Sequence, residues 1–426
     1  MNEQPTIVQV SDSSTPLARI VFHFRGGSSQ DPEGLEGLTC LMNRLMIRGT
    51  RKLTRSDYED RVEQLGVNLV PTCGPSSISL GGSLHRRHAP SWFELVHSAF
   101  MEPRFDEAEI ERGKRELIAE FDMLFDEDAS LGRFFLKQAL YQNSPYGRSI
   151  LGTPSSLAQI TRQDLLNHRE HIYAQQRLLV GCAGDIEGHS LHKPLENLIT
   201  SLPTGPTLEL PIVELGDRST RVVIIDKPAR TQCQVFSGQL VPGASATTML
   251  PYQFGALILG GTFTSRLIQS LRVERGLSYG AYSWLSADQM SSGLFCHADV
   301  DSARIDEGVS VLLESLDTLS SDGITESEFV FGKKHILKGM PFGLETASME
   351  VAQKVRLALL GRNIEDFERR VELINSLEME AVQGAMQSLN QQGKRIILIV
   401  CTYDQATKKK LAKVLKPFEV EVIEGR

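Results

Sequence analysis

Cys40, Asn43 and Arg44 sit at positions i, i+3 and i+4 of a segment whose apolar residues, Leu38, Leu41 and Leu45, recur at helical spacing. On a helix these three share one face. Two imidazoles at such positions can hold one Zn²⁺ while a carboxylate beside them takes a proton from the bound water. The residue types here do something else. A thiol is one potential ligand, an amide accepts no proton, and a guanidinium puts fixed positive charge where a divalent ion would sit. No catalytic zinc is expected at this face. Cysteine catalysis at Cys40 would need an adjacent base, and neither Asn43 nor Arg44 supplies one. Arg272 and Tyr279 form a second candidate. A guanidinium brings charged donors and a phenol one directed donor. The bland alternative is a surface arginine beside a core-edge tyrosine, and Arg275 and Tyr282 offer the same types nearby.

Other chemistry-bearing patterns fail on their context. His85 and His88 end a Gly-Gly strand among basic neighbours and read as a solvated strand end. Gly260-Gly261 is not followed by the GK[ST] of a phosphate loop. The cysteines, at 40, 73, 182, 233, 296 and 401, make no CxxC pair. That argues against a zinc ribbon or a redox motif and for small buried hydrophobes.

The elements that must carry these residues come in two sets. The 426-residue length suits two large domains. A net charge of −8 argues against a nucleic-acid binder, and Lys408–Lys410 reads as a solvated helix face. Hydrophobic residues at 41% suffice for real cores, and no apolar run approaches a membrane span. A proline-rich stretch, Leu202–Pro211, lies near the midpoint and reads as a linker. The sequences on either side repeat. Phe105–Lys114 matches Ile324–Lys333 at an offset of 219, with Glu107/Glu326, Glu109/Glu328, Gly113/Gly332 and Lys114/Lys333 identical. Arg177–Val180 matches Arg395–Leu398 at 218. Each half opens on a strand (Ala18–Phe24; Arg221–Ile225) and continues with an amphipathic helix (Leu38 to Leu45; Leu267 to Leu271). A hairpin follows near Gly81-Gly82 or Ser291–Gly293, then a long helix (107–125; 326–340) and a buried strand. This grammar predicts α+β domains at 1–201 and 218–426, joined by 202–217. Each has a mainly antiparallel sheet with helices packed on one face.

Asp31–Thr50 resembles the first helix of the M16 metallopeptidases, whose pattern is G-x-x-H-x-x-E-H-x-x-x-x-G-T. Aligned on Gly49-Thr50, the two ligand histidines fall on Cys40 and Arg44 and the general base on Asn43. The third ligand, 76 residues past the second histidine, falls on Glu120 and survives, free to pair with Arg44. The family's additional acid falls on Gly113 and is absent. The resemblance continues through Ser144-Pro-Tyr-Gly-Arg148, Leu151–Pro154, Val180–Ile186 and Leu259–Leu267. It implies two LuxS/MPP-like domains. It also implies that Arg272 and Tyr279 match the pair that binds substrate and stabilises the oxyanion in active relatives.

The resemblance therefore implies a zinc-free subunit that carries the Arg/Tyr pair. Its partner would be a homologous HxxEH-bearing zinc subunit, with peptides as substrates, and the chain alone would be inactive. The alternative is a purely structural or assembly subunit in which the pair is a relic. The family usually has a further N-terminal strand behind a leader, and this chain is expected to start after it. The first residues show no basic or apolar leader region. A leader removed ahead of Met1 would place the protein in the bacterial periplasm; without one, the cytoplasm follows.

Overall fold

Hydrophobic alternation and helical periodicity divide each half of the chain into the same succession of elements. The structure, a computed structural model, describes residues 5–187, 189–205, 208–216, 219–244, 249–391 and 393–425. Met1, and Pro206, Thr207 and Asp217 of the expected linker, lie outside the described residues.

The first half runs through β1 (Thr6–Ser11), β2 (Leu17–Arg25), α1 (Leu38–Leu45), β3 (Val70–Cys73), β4 (Ser77–His85), α2 (Glu107–Met123), α3 (Asp128–Leu140) and β5 (Leu178–Gly184). The second half contains β6 (Ser219–Asp226), β7 (Gln232–Pro242), α4 (Leu250–Gly260), β8 (Ala281–Ser286) and β9 (Ser291–Asp301). It continues with α5 (Glu326–Gly339), α6 (Ala347–Leu359), β10 (Lys394–Cys401) and β11 (Glu419–Glu424). The repeat offset of 219 carries the first residues of α2 and α3 onto those of α5 and α6.

Packing divides the chain into two units. One comprises Met1–Asp122, Arg148–Pro211 and Met340–Phe367; the other comprises Met123–Gly147, Ile212–Gly339 and Glu368–Arg426. The contiguous division at 201 and 218 is thus corrected at two segments. α3 belongs to the second unit and α6 to the first, so each unit contains one helix encoded in the opposite half. The linker is also no free tether, because Leu202 is buried and the Gly205 amide donates to Gln176 Oε1 (2.9 Å).

In the first unit the sheet order is β1-β5-β2-β4-β3. Only β1 runs parallel to its neighbour, with Val8 opposite Gly181. The expectation that the chain lacks this strand fails. Its TIVQVS sequence is short and half exposed, with Ile7 outward and Val8 inward, so little apolar pattern marks it. Phe22 and Phe24 of β2 pack against Trp92, Phe100 and Tyr173, and all five are essentially buried. Each such side chain contributes roughly 1.5–3 kcal/mol by leaving water. Alternate residues of β5 face the other way. Gly181 and Ala183 lie under Val351 and Val355 of α6, adding a single helix on the second face of the sheet.

The second sheet has the order β11-β6-β10-β7-β9-β8, with β11, β6 and β10 mutually parallel and the rest antiparallel. α3 covers one face through Leu131, Leu136 and Leu140, against Phe236, Leu398 and Val400. A Cβ on Gly132 would lie 2.2 Å from the Phe236 ring, so glycine sets the depth of that contact.

Gly81 and Gly82 fall inside β4 rather than in a turn. A Cβ there would meet the backbone of Ile20 at 2.3 Å or of Asn68 at 1.9 Å, so the pair marks close backbone approach. The residues around Leu267–Leu271 also depart from expectation. Ile268–Val273 is a π-helical turn, closed by Glu274 N–H donating to Gln269 C=O at 2.9 Å.

Candidate functional site

α1 is positioned from outside its own sequence. Gly37, at its N-terminus, has φ +93°, and a Cβ there would collide with the backbone of Leu151 and Gly152. The cap comes from Asp31, whose carboxylate accepts from the Gly37 amide (2.9 Å), the Thr39 amide (2.8 Å) and the Thr39 hydroxyl (2.5 Å). Thr39 Oγ1 also lies 2.7 Å from His168 Nε2. Burial pushes the Asp31 carboxyl up to about 7, against the opposing effect of the hydrogen bonds from Thr39 and Gly37. Burial holds His168 down to about 3, helped by the charges of His171 and Arg177.

The face carrying Cys40, Asn43 and Arg44 is folded as expected, and each residue is committed to a partner. Asn43 is fully buried. Its Nδ2 donates to the carbonyls of Thr72 (2.6 Å) and Ser79 (3.2 Å), and its Oδ1 accepts from Tyr173 O–H (2.6 Å). An amide suits this spot because it offers two donors to two carbonyls. A carboxylate would face them with oxygen. Arg44 and Glu120 are joined by two parallel bonds, Nη1 to Oε1 at 2.5 Å and Nη2 to Oε2 at 2.9 Å. The Glu120 carboxylate holds the guanidinium more basic than usual. The pair begins a ladder along α2, continued by Arg48 with Glu116 and by Arg55 with Glu109. Gly113 stands one turn away, where a Cβ would lie 2.7 Å from Leu41 Cδ1. The position of the absent acid is thus used for helix contact, as its repeat equivalent Gly332 is against Phe254 of α4.

These residues do not fit a catalytic zinc. The glutamate that could ligate is held by a guanidinium, and the base position is spent on backbone. Among the described residues no group of three or more His, Cys, Asp or Glu side chains is placed to hold a metal ion.

Two partners escaped the sequence reading. Tyr173 gave no signal beyond an aromatic residue near a strand. Cys73 packs against the core cluster that contains Cys40, although 33 positions separate them, and its thiol donates to Gly74 C=O (3.8 Å). Strand β3 brings Cys73 into the core cluster that holds Cys40, a placement that sequence spacing does not show. The Cys40 thiol is held below its ordinary value, first by the Cys73 thiol and, against burial, by Arg44.

In the second unit, Arg272 is the penultimate residue of the π-helical turn and Tyr279 follows in the next loop. Leu271, Leu277 and Ser278 are buried on either side. Ser278 Oγ donates to Gly280 C=O (2.7 Å) and accepts from Gly280 N–H (3.2 Å), which braces the loop under Tyr279. Arg272 is exposed and Tyr279 is 82% exposed. Among the described residues neither side chain has a hydrogen-bond or ion-pair partner. Arg275, by contrast, is spent on Ser270 C=O (3.1 Å) and Glu274 (2.9 Å). Tyr282 lies on β8 opposite His297.

Two family models match this chain. The family described as "Insulinase (Peptidase family M16)" matches residues 6–154, and that described as "Peptidase M16 inactive domain" matches 159–335. The chain is 22% identical over 346 residues to "Non-peptidase homolog YmxG" of Helicobacter pylori, covering 81% of this chain and 80% of that protein. It is 22% identical to "Uncharacterized zinc protease YmxG" of Bacillus subtilis, over 88% of this chain and 90% of that one. Among solved structures, a peptidase M16 inactive domain from Pseudomonas fluorescens superposes with a TM-score of 0.83 at 20% identity, covering 93% and 95% of the two chains. A protease from Helicobacter pylori gives 0.79 at 16%, covering 93% and 97%.

Proposed function

Because this chain belongs to the M16 peptidase family, we propose that it is the zinc-free subunit of a two-subunit peptidase and lends Arg272 and Tyr279 to the zinc site of a homologous HxxEH-bearing partner. The observation that carries this reading is a contrast. The helix that would bind zinc has every polar side chain committed internally, while Arg272 and Tyr279 stand exposed and uncommitted. A long exposed tyrosine and an unpaired arginine on a braced loop are poorly explained by stability, since neither is buried nor paired. As donors they suit a peptide carbonyl and the oxyanion formed when water adds to it. A guanidinium supplies charge, a phenol one aimed hydrogen bond, and both gain strength where a bound partner excludes water.

On this reading the chain alone cleaves nothing and the complex cleaves peptides. Mixing it with the zinc-bearing subunit and following a fluorogenic peptide tests it. Arg272→Ala and Tyr279→Phe should leave assembly, read by size-exclusion chromatography, unchanged and lower cleavage. Undiminished cleavage by both variants would make the chain a structural subunit instead.

A further inference from the structure

Two thiols lie together where the helix face meets the edge of the first sheet. Cys40 is 3% exposed on α1, and Cys73 is half-buried at the end of edge strand β3. Their contact is enforced by the backbone. Asn43, one turn on from Cys40, bonds the carbonyl of Thr72, the residue before Cys73. Thr72 is tied in turn to Ser79 of β4 through its hydroxyl (2.6 Å). The Arg44 guanidinium lies against Cys40.

We propose that Cys40 and Cys73 form a peroxide-reactive dithiol that closes to a disulfide tying α1 to β3. The Cys40 thiolate attacks one oxygen of hydrogen peroxide, the O–O bond breaks, and hydroxide leaves to become water on taking a proton. Cys40 is left as a sulfenic acid. Cys73 then attacks that sulfur, losing its thiol proton, and the S–O bond breaks to release a second water. Two thiols are oxidised by two electrons and one peroxide is reduced to two waters. The local charge favours this order. The neighbouring Cys73 thiol and the Arg44 guanidinium favour negative charge on Cys40, against burial and the Glu120 carboxylate. Both thiols belong to this chain, so the reaction needs no partner subunit.

The protein offers an internal comparison. Cys233 and Cys401 also lie side by side, on neighbouring strands β7 and β10, but each is only 1% exposed, and the cation acting on Cys233 is Lys410 rather than a guanidinium.

The test uses the full reduced chain treated with a small excess of hydrogen peroxide. Intact mass should fall by about 2 Da, non-reducing peptide mapping should recover a Cys40–Cys73 linkage, and dithiothreitol should reverse both. The melting temperature of the oxidised form should rise by about 5–10 °C, as expected for a loop of this length. In Cys73→Ser, dimedone should trap a sulfenic acid on Cys40. Recovery of the linkage in the unmodified chain supports the proposal whether or not the variant folds or the second pair also oxidises. Unchanged mass, or a linkage confined to Cys233–Cys401, overturns it.

Discussion

The position of the lost general base offers the sharpest test of how this site is built. Asn43→Asp changes one atom group in a fully buried side chain. The two N–H donors that satisfy the carbonyls of Thr72 and Ser79 vanish, and oxygen takes their place at 2.6 and 3.2 Å. Each buried carbonyl left without a donor costs about 1–3 kcal/mol. Burial also raises the carboxyl pKa in the folded state, at about 1.4 kcal/mol per unit. Taken together, the variant should lose about 3–5 kcal/mol at pH 7.5. At pH 5 the buried carboxyl is protonated and donates one hydrogen bond again, so the deficit should shrink to about 1–2 kcal/mol. The sign follows from a folded pKa above the unfolded one: stability is full below the unfolded value and is lost as pH rises through the folded one. The chain has two tryptophans, Trp92 in the first unit and Trp284 in the second. Urea unfolding followed by Trp92 fluorescence in a Trp284→Phe background therefore reports on the relevant unit alone. A deficit under about 1 kcal/mol at both pH values would refute the account of Asn43 as a pin between helix and strand.

Further expectations concern the other named groups. In the reconstituted complex, Arg272→Ala and Tyr279→Phe should each lower kcat by about 10²–10³-fold, the loss expected for one oxyanion donor. A double-mutant cycle on Arg44→Ala and Glu120→Gln should return a coupling of about 0.5–1 kcal/mol that weakens with salt, because both side chains are partly exposed. Asp31 and His168 should oppose each other in pH-dependent stability. His168, held down to about 3, loses stability as pH falls from 6.5, whereas Asp31, pushed up to about 7, loses it as pH rises from about 4. Asp31→Asn should therefore unmask a fall of at most about 1.4 kcal/mol per pH unit toward acid. His168→Gln should unmask a fall toward neutrality, both read from urea midpoints. Purified protein dialysed free of adventitious metal should hold well under one zinc per chain by elemental analysis, and a tightly held stoichiometric zinc would contradict the fit argued for Arg44 and Glu120.

What the sequence revealed, and what it hid, follows the range of the forces involved. Helix periodicity is local, so the face of Cys40, Asn43 and Arg44 could be read directly. The repeat at an offset of 219 placed α2 and α5, and Gly113 and Gly332 duly perform the same close contact in each. The long-range side of the site could not be read this way. Nothing near Cys40 announces Cys73, because the meeting depends on how β3 lies on the sheet edge. The Asn43 amide is intelligible only once Thr72, Ser79 and Tyr173 surround it. The usual local meaning of a Gly-Gly pair is a turn, whereas Gly81-Gly82 answers to neighbouring backbone remote in sequence. The placement of α3 and α6 was hidden for the same reason. Gly181 leaves room for Val351, but a glycine in a strand does not say which helix will fill the space.

That exchange of helices has a consequence for how the chain is made. The sheet residues Gly181 and Ala183 are covered by side chains of α6, about 170 residues downstream. At roughly 5–20 residues per second, a ribosome takes about 10–30 s to supply that cover. During this interval the first unit exposes one apolar face of its sheet, and a separately expressed first half would never lose that exposure. Expressed alone, residues 1–201 are expected to aggregate or recruit a chaperone, and adding Met340–Phe367 in trans should relieve it. The duplicated halves look independent on paper, yet translation must pass residue 359 before the first one is finished.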